Sequence, residues 1–260
     1  MRKLILILFI LLSCASLANS GGIISFPGGG VPSGAVDYSD ILVWDRAEGL
    51  NQSATLDFPG TITWTNTDSE ASFTSGGRVN NGYVLTDATS NGNDKAYEDL
   101  TSSLASGTSG TLYCEMYVST WTDEAQICRV YQNGSNVFSL QLGATANGDV
   151  EILWVEGGSA DIITASSCAL SSSTWYLVEM QYNAATNYRK LAVYDTSGSE
   201  KCTTTDSSTA ISGFEITTGG YLYYGNVGAF HFEGAVDNMR ISNDYTRSFV
   251  PLRGTDSWPG

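Results

Sequence analysis

Histidine is almost missing from this 260-residue chain; His231 is its single representative. A metal centre made of several imidazoles is therefore excluded, and a Ser–His or Cys–His nucleophile has one base to draw on. Cations are scarce as well: 12 Lys+Arg stand against 27 Asp+Glu, a formal net charge of −15. A nucleic-acid backbone needs a basic surface, so that class of partner is excluded. Charged residues of both signs make up only 15% of the chain. No C-x-x-C spacing occurs, which leaves zinc-ribbon and thioredoxin-like chemistry unsupported. No run reaches the length of a spanning helix. A helical period is lacking too. Lys95 to Leu104 is the one candidate, for one or two turns, and no internal repeat is visible.

Hydrophobic residues at 42%, with 6 Trp and 14 Tyr, are too many for a disordered chain. Few charges, 28 glycines and much Ser, Thr and Asn suit an extracytoplasmic β protein. The length fits one large domain or two small ones.

Met1-Arg2-Lys3 followed by the apolar run Leu4–Leu12 has the layout of a secretory leader, expected over 1–20. Two cleavages compete. Ser16-Leu17-Ala18 places small residues where signal peptidase needs them. Leu11-Leu12-Ser13-Cys14 resembles a lipobox, in which Cys14 is lipidated and anchors the protein to a membrane surface. Residues 21–39 are rich in Gly, Pro and Ser and read as a flexible linker; 251–260 form a C-terminal tail. Either route puts the product outside the cytoplasm: secreted, periplasmic or on the cell surface.

With Cys14 in the leader, four cysteines remain, and four allow three pairings. Cys114 and Cys128 are symmetric about Trp121, and Cys168 and Cys202 about Ala185. Hairpins at those centres predict the bonds 114–128 and 168–202.

From about Tyr38 onward, short strands recur between clusters of Gly, Asn, Asp and Ser, the pattern of an all-β sandwich or barrel. Leu112, Cys114, Met116 and Val118 alternate with Tyr113, Glu115 and Tyr117. If Cys114 faces Cys128 across a hairpin ladder, Val130 joins the apolar side while Arg129 and Tyr131 join the tyrosines. Phe138, Leu140 and Leu142 pair likewise with Trp154, Ile152 and Val150 about an Ala144–Gly148 turn, leaving Ser139, Gln141 and Glu151 opposite. One polar–aromatic outer face results: Tyr113, Glu115, Tyr117, Arg129, Tyr131, Gln141 and Glu151. Tyrosine rings stack on the apolar faces of sugars, and carboxylates and amides accept their hydroxyls. A plain solvated sheet surface is the alternative. The acidic net charge disfavours sulfated or uronic glycans unless calcium bridges them. Trp175–Asp195 forms another hairpin, whose faces are both mixed.

Tyr221–Ser242, with its F-x-G-x-[IV]-D-x-[VM]-R-[IV] run, resembles the closing strands of laminin-G-like domains in the concanavalin A-like lectin/glucanase superfamily. Trp175–Tyr182, Lys190–Asp195 and Ile41–Trp44 are similar to other strands of that family, so the resemblance covers about 40–250. It implies a jelly roll of two antiparallel sheets. It also implies a structural calcium at Asp237, with Asp45 or Glu48 and carbonyls of Gly76-Gly77 as partners. The alternative is that Asp237 accepts backbone N–H bonds, or pairs with Arg240 or Arg46, without an ion.

Glucanases of the superfamily carry E-x-D-x-x-E. Here Glu151 and Glu156 keep the spacing, but Leu153 stands in the place of the Asp. Residues five apart also fall on opposite faces of a regular strand, so the pair reads as solvated glutamates and no catalytic residue is assigned. Gln126-Ile-Cys128 is a faint echo of a polysaccharide-lyase Q-I-H, and His231 reads as a strand residue. N-x-S sequons fall at Asn51 and Asn133. The expected function is a non-catalytic secreted or surface-tethered module binding carbohydrate or a cell-surface protein. The alternatives are a glycoside hydrolase or polysaccharide lyase of the same fold, or a structural part of a surface or particle assembly.

Overall fold

The computed structural model describes residues 39–47, 49, 63–66, 71–86, 95–99, 107–121, 124–133, 136–143, 148–213, 220–225 and 233–252. The leader with Cys14, most of the linker, Glu48, His231 and the tail beyond 252 lie outside these residues, and so does most of the Ala144–Gly148 turn.

The described strands are β1 (Ile41–Trp44), β2 (Thr65–Asn66), β3 (Ala71–Ser75), β4 (Asn81–Leu85), β5 (Lys95–Asp99), β6 (Ser109–Thr120), β7 (Gln126–Asn133), β8 (Asn136–Leu142), β9 (Val150–Glu156), β10 (Ser159–Ala165), β11 (Trp175–Asn183), β12 (Tyr188–Asp195), β13 (Glu200–Asp206), β14 (Tyr221–Gly225) and β15 (Glu233–Ser242). They form two antiparallel sheets packed as a sandwich, the all-β architecture expected. The larger has eight strands in the order β13-β12-β11-β6-β15-β4-β3, with β1 also on β15; the smaller has seven in the order β10-β9-β8-β7-β14-β5-β2. Lys95–Asp99 is thus a strand and not a helical turn. Its partners β14 and β2 supply the ladder that a five-residue segment cannot make alone.

Apolar alternation builds the core. Leu112, Cys114, Met116, Val178 and Met180 of the larger sheet face Cys128, Val130, Leu140, Ile152, Trp154 and Leu222 of the smaller in one buried cluster. The β8–β9 register is the expected one, Phe138 opposite Trp154, Leu140 opposite Ile152 and Leu142 opposite Val150.

Both expected disulfides are bonded. The first, however, does not close a ladder. β6 belongs to the larger sheet and β7 to the smaller, so Cys114–Cys128 ties the layers together through the core with its Cα atoms 7.0 Å apart. Residues facing each other across a sandwich have neighbours that point away from each other. Tyr113 and Arg129 therefore lie on opposite outer surfaces.

The larger sheet's outer surface is itself covered. Phe249 and Val250 pack with Ile41, Trp44, Tyr113 and Leu177 in a second buried cluster. Phe249 sits edge-on to Trp44 at 6.2 Å and against Tyr113 at 5.9 Å between ring centroids. Glu179 fastens this strap by accepting from the Phe249 N–H at 2.8 Å and the Ser248 hydroxyl at 3.1 Å. β15 crosses β6 closely at Gly234, whose φ is +153° and where a Cβ would fall 1.9 Å from the Tyr117 carbonyl oxygen.

Candidate functional site

The seven residues expected on one face are divided between two. Tyr113 and Glu115 are fully buried, Tyr113 under the C-terminal strap. Glu115 pairs with Arg78 and accepts from the Tyr113 hydroxyl at 2.6 Å and from Asn238 at 3.4 Å. These residues brace the fold and cannot meet a ligand. Tyr117 is half-buried on the same surface, its ring 5.7 Å from Trp175. Together with Gly234, Ala235 and Glu233 they line a groove of about 520 Å³.

Arg129, Tyr131, Gln141 and Glu151 do share a surface, the outer one of the smaller sheet. Ladder register builds it row by row. Tyr97, Tyr223, Arg129, Ser139 and Leu153 stand side by side on β5, β14, β7, β8 and β9. Tyr221 and Tyr131 make the adjacent row. Gln126, Gln141, Glu151 and Thr164 make another on the far side of Arg129.

Four half-buried tyrosines thus cluster on this surface, two of them against one arginine. Tyr97 lies 5.7 Å from Tyr221 and 6.1 Å from Tyr223; Tyr131 lies 6.2 Å from each of the same two. The Arg129 guanidinium rests 4.8 Å from the Tyr131 ring centre and 5.9 Å from that of Tyr223, distances at which a cation is held by the π face. Burial pushes the Tyr223 hydroxyl up to about 12, against the pull of Arg129. The phenol is therefore neutral at physiological pH, able to donate and to accept. Gln141 is buried, and it donates to Glu151 at 3.2 Å. Glu151 also accepts from the Thr164 hydroxyl at 3.0 Å, so its carboxylate is already oriented.

Tyr97, Tyr221 and Tyr223 were not expected at this site. The Tyr-x-Tyr spacing of 221–223 signals one strand face, but joining it to β7 needs a pairing across some ninety residues, which periodicity cannot supply. At the end of β7, Gln132 and Asn133 follow Tyr131 into a polar cleft of about 790 Å³ shared with Asn136, Gly157 and Ser212.

Glu151 and Glu156 lie on opposite faces, since β9 keeps an unbroken register with both neighbours. Glu156 accepts from the Trp154 indole at 3.0 Å and from the Ser212 N–H at 2.8 Å. The two carboxylates do not meet. Cys128 of the lyase-like echo is in a disulfide.

The residues expected for calcium do not assemble a ligand set among those described. Asp45 is buried with its oxygens engaged by donors: Trp64 Nε1 at 3.3 Å, Ala47 N–H at 3.2 Å and the Tyr224 hydroxyl at 2.5 Å. Donors are the reverse of what a cation shell needs. Asp237 accepts the N–H groups of Arg78 at 2.9 Å and Val79 at 3.3 Å, and its Oδ1 lacks a donor. Calcium takes six to eight oxygens, backbone carbonyls among them, and Glu48 lies outside the described residues. No group of three or more His, Cys, Asp or Glu side chains among the described residues is placed to hold a metal. Nor is any helix among them long and apolar enough to cross a membrane.

No protein-family model matches the chain, and no curated protein matches it in sequence. Solved structures do. The binding domain of Paraclostridial Mosquitocidal Protein 1 superposes with a TM-score of 0.59 at 12% identity, over 82% of this chain and 51% of that one. The binding domain of Botulinum Neurotoxin DC, in complex with SialylT, gives 0.55 at 11%, over 79% and 48%. Domain 4 of AbnA, a GH43 extracellular arabinanase from Geobacillus stearothermophilus in complex with arabinotriose, gives 0.52 at 14%, over 78% and 92%. This chain thus spans about half the length of the two toxin chains and nearly all of the arabinanase domain. At such identities the likeness establishes the fold alone, an antiparallel β-sandwich.

Proposed function

We propose that this protein is a glycan-binding module whose site is the tyrosine-lined outer surface of the smaller sheet. The observation that carries the reading is the cluster of Tyr97, Tyr131, Tyr221 and Tyr223, contributed by three adjacent strands, with Arg129 against two of its rings. Rigid rings presented on a sheet need little reordering to stack on pyranoses, and Glu151, already held by Gln141 and Thr164, offers an oriented acceptor beside them. The neighbours support the reading, since two of them were solved with sugar ligands, arabinotriose and SialylT.

The finer parts belong to the same proposal. The fold is taken to be of the laminin-G-like branch. The chain is taken to be exported by its N-terminal leader, secreted or held at the surface by a lipid on Cys14. A cell-surface glycoprotein is then a partner through its sugars. A glycan array probed with the mature chain tests the reading, followed by calorimetry on the best ligand with Tyr223→Ala and Tyr97→Ala. Each substitution is expected to weaken binding by roughly tenfold at an unchanged melting temperature. Full affinity in both variants contradicts the proposal.

A further inference from the structure

Arg129 differs in its company from four other arginines of the described residues. Arg78 pairs with Glu115, Arg189 with Asp161 and Asp206, and Arg247 with Asp40. Arg240 has Glu115 and Asp237 within electrostatic reach. Among the described residues no carboxylate pairs with Arg129; the groups acting on its charge are the Tyr223 and Tyr131 phenols. Its Nη1 donates to the neutral Gln126 amide at 3.1 Å, and its Nε is buried with no acceptor.

This is an incomplete electrostatic arrangement. Taking a guanidinium out of water is costly unless an anion or a full set of acceptors replaces the hydration. Cation–π contacts recover only part of that. With Nη1 committed to Gln126, the side left without an acceptor is the Nε–Nη2 edge. That edge, with its two parallel N–H bonds, grips a carboxylate. The residue is half-buried, so the guanidinium keeps some access to solvent.

Resting on the glycan-binding reading above, we propose that the ligand of this surface carries a carboxylate, as a sialic or uronic acid residue does. Arg129 receives the carboxylate while the tyrosine rings hold the sugar. Nη2, on the same edge as the buried Nε, makes the contact. The net charge of −15 does not forbid this. At physiological ionic strength charges are screened beyond about 8 Å, so a distant surface charge counts for little against a cation in contact. The net charge disfavours acidic glycans for the chain as a whole; at this surface Arg129 is a cation without an ion-pair partner among the described residues.

The test is calorimetry on the mature chain with two matched pairs of probes. Sialyllactose is compared with lactose, and trigalacturonic acid with its methyl ester. The wild type is expected to prefer the acid in one pair by roughly tenfold or more, the weight of a charge-assisted hydrogen bond. The pair that shows the preference names the source of the carboxylate. Arg129→Gln is expected to abolish the preference, and Arg129→Lys to restore part of it. Arg129→Gln is also expected to keep or raise the melting temperature, because an uncompensated charge has been removed. A purely structural cation–π strut would instead lose stability and leave the acid-to-neutral ratio alone. Equal affinity within both pairs, or an unchanged ratio in Arg129→Gln, overturns this inference and leaves the glycan-binding reading standing. No binding of any probe, with none on the array, overturns both.

Discussion

Replacing Glu179 by glutamine should remove one part of the pH dependence of stability, that between pH 4.5 and 7; Asp237, which burial pushes up to about 8, keeps another. Glu179 lies beneath the C-terminal strap, 2% exposed. Burial pushes its carboxyl from 4.5 up to about 7, against the Phe249 N–H, the Ser248 hydroxyl and Lys190, which favour the charged form. Burial, and then this carboxylate, push the Tyr194 hydroxyl up to about 12. Tyr113 stands opposite Glu179 on β6.

The sign follows from proton counts. Near pH 6 the folded state keeps the Glu179 proton and the unfolded chain has lost it, so folding takes up a proton. Stability is greatest below the unfolded value and falls as pH rises from about 4.5 through about 7. At about 1.4 kcal/mol per tenfold, the full loss is about 3 kcal/mol. Glu179→Gln never ionises and keeps an acceptor for Phe249. Its weaker bonds cost about 1 kcal/mol. At pH 8 it should therefore exceed the wild type by about 2 kcal/mol, and at pH 4.5 it should equal it or fall slightly below. Urea unfolding at pH 4.5, 6 and 8 measures both curves. Parallel curves for the two proteins would refute the reasoning, because the carboxyl would then titrate alike in the folded and unfolded states.

Gly234→Ala should lose about 3 kcal/mol or more in urea unfolding, since a Cβ there meets the Tyr117 carbonyl oxygen and the φ is left-handed; an unchanged midpoint would mean β15 does not cross β6 as described. Removing Cys114–Cys128, which closes a 14-residue separation, should cost about 3 kcal/mol; removing Cys168–Cys202, across 34, should cost about 4, read from the Cys→Ala double variants. Equal and negligible losses would contradict both links. Calcium and EGTA should leave the melting temperature of the mature chain where it is, because Asp45 is bound to donors and Asp237 offers one free oxygen; a rise with calcium would place a ligand set outside the described residues.

Alternation told the two faces of each strand apart. It gave the β8–β9 pairing residue for residue, because Phe138, Leu140 and Leu142 have one short connection and one apolar parity to satisfy. It could not say which layer a strand joins. Residues 121–125 carry the chain from one sheet to the other, and the Cys114–Cys128 bond satisfies a hairpin and an interlayer bridge equally well. Hence half of the expected site was placed on the wrong surface. Nor does parity distinguish a solvated face from one covered by a remote segment. Tyr113 and Glu115 look amphipathic and exposed until Phe249 is seen over Tyr113 and Arg78 against Glu115. Arg129, Tyr131 and Glu151 were legible because they share one sheet with a local neighbour. Tyr97 and Tyr223 were not, because β5 and β14 meet only in the folded ladder.

The account stands on the tyrosine surface of the smaller sheet being where sugar is held. Backbone amide shift mapping of the isotope-labelled mature chain, titrated with the best oligosaccharide from the array, tests this most directly. Shifts are predicted at Tyr97, Arg129, Tyr131, Tyr221 and Tyr223. Shifts gathered instead at Tyr117, Trp175 and Gly234, on the opposite sheet, would contradict it.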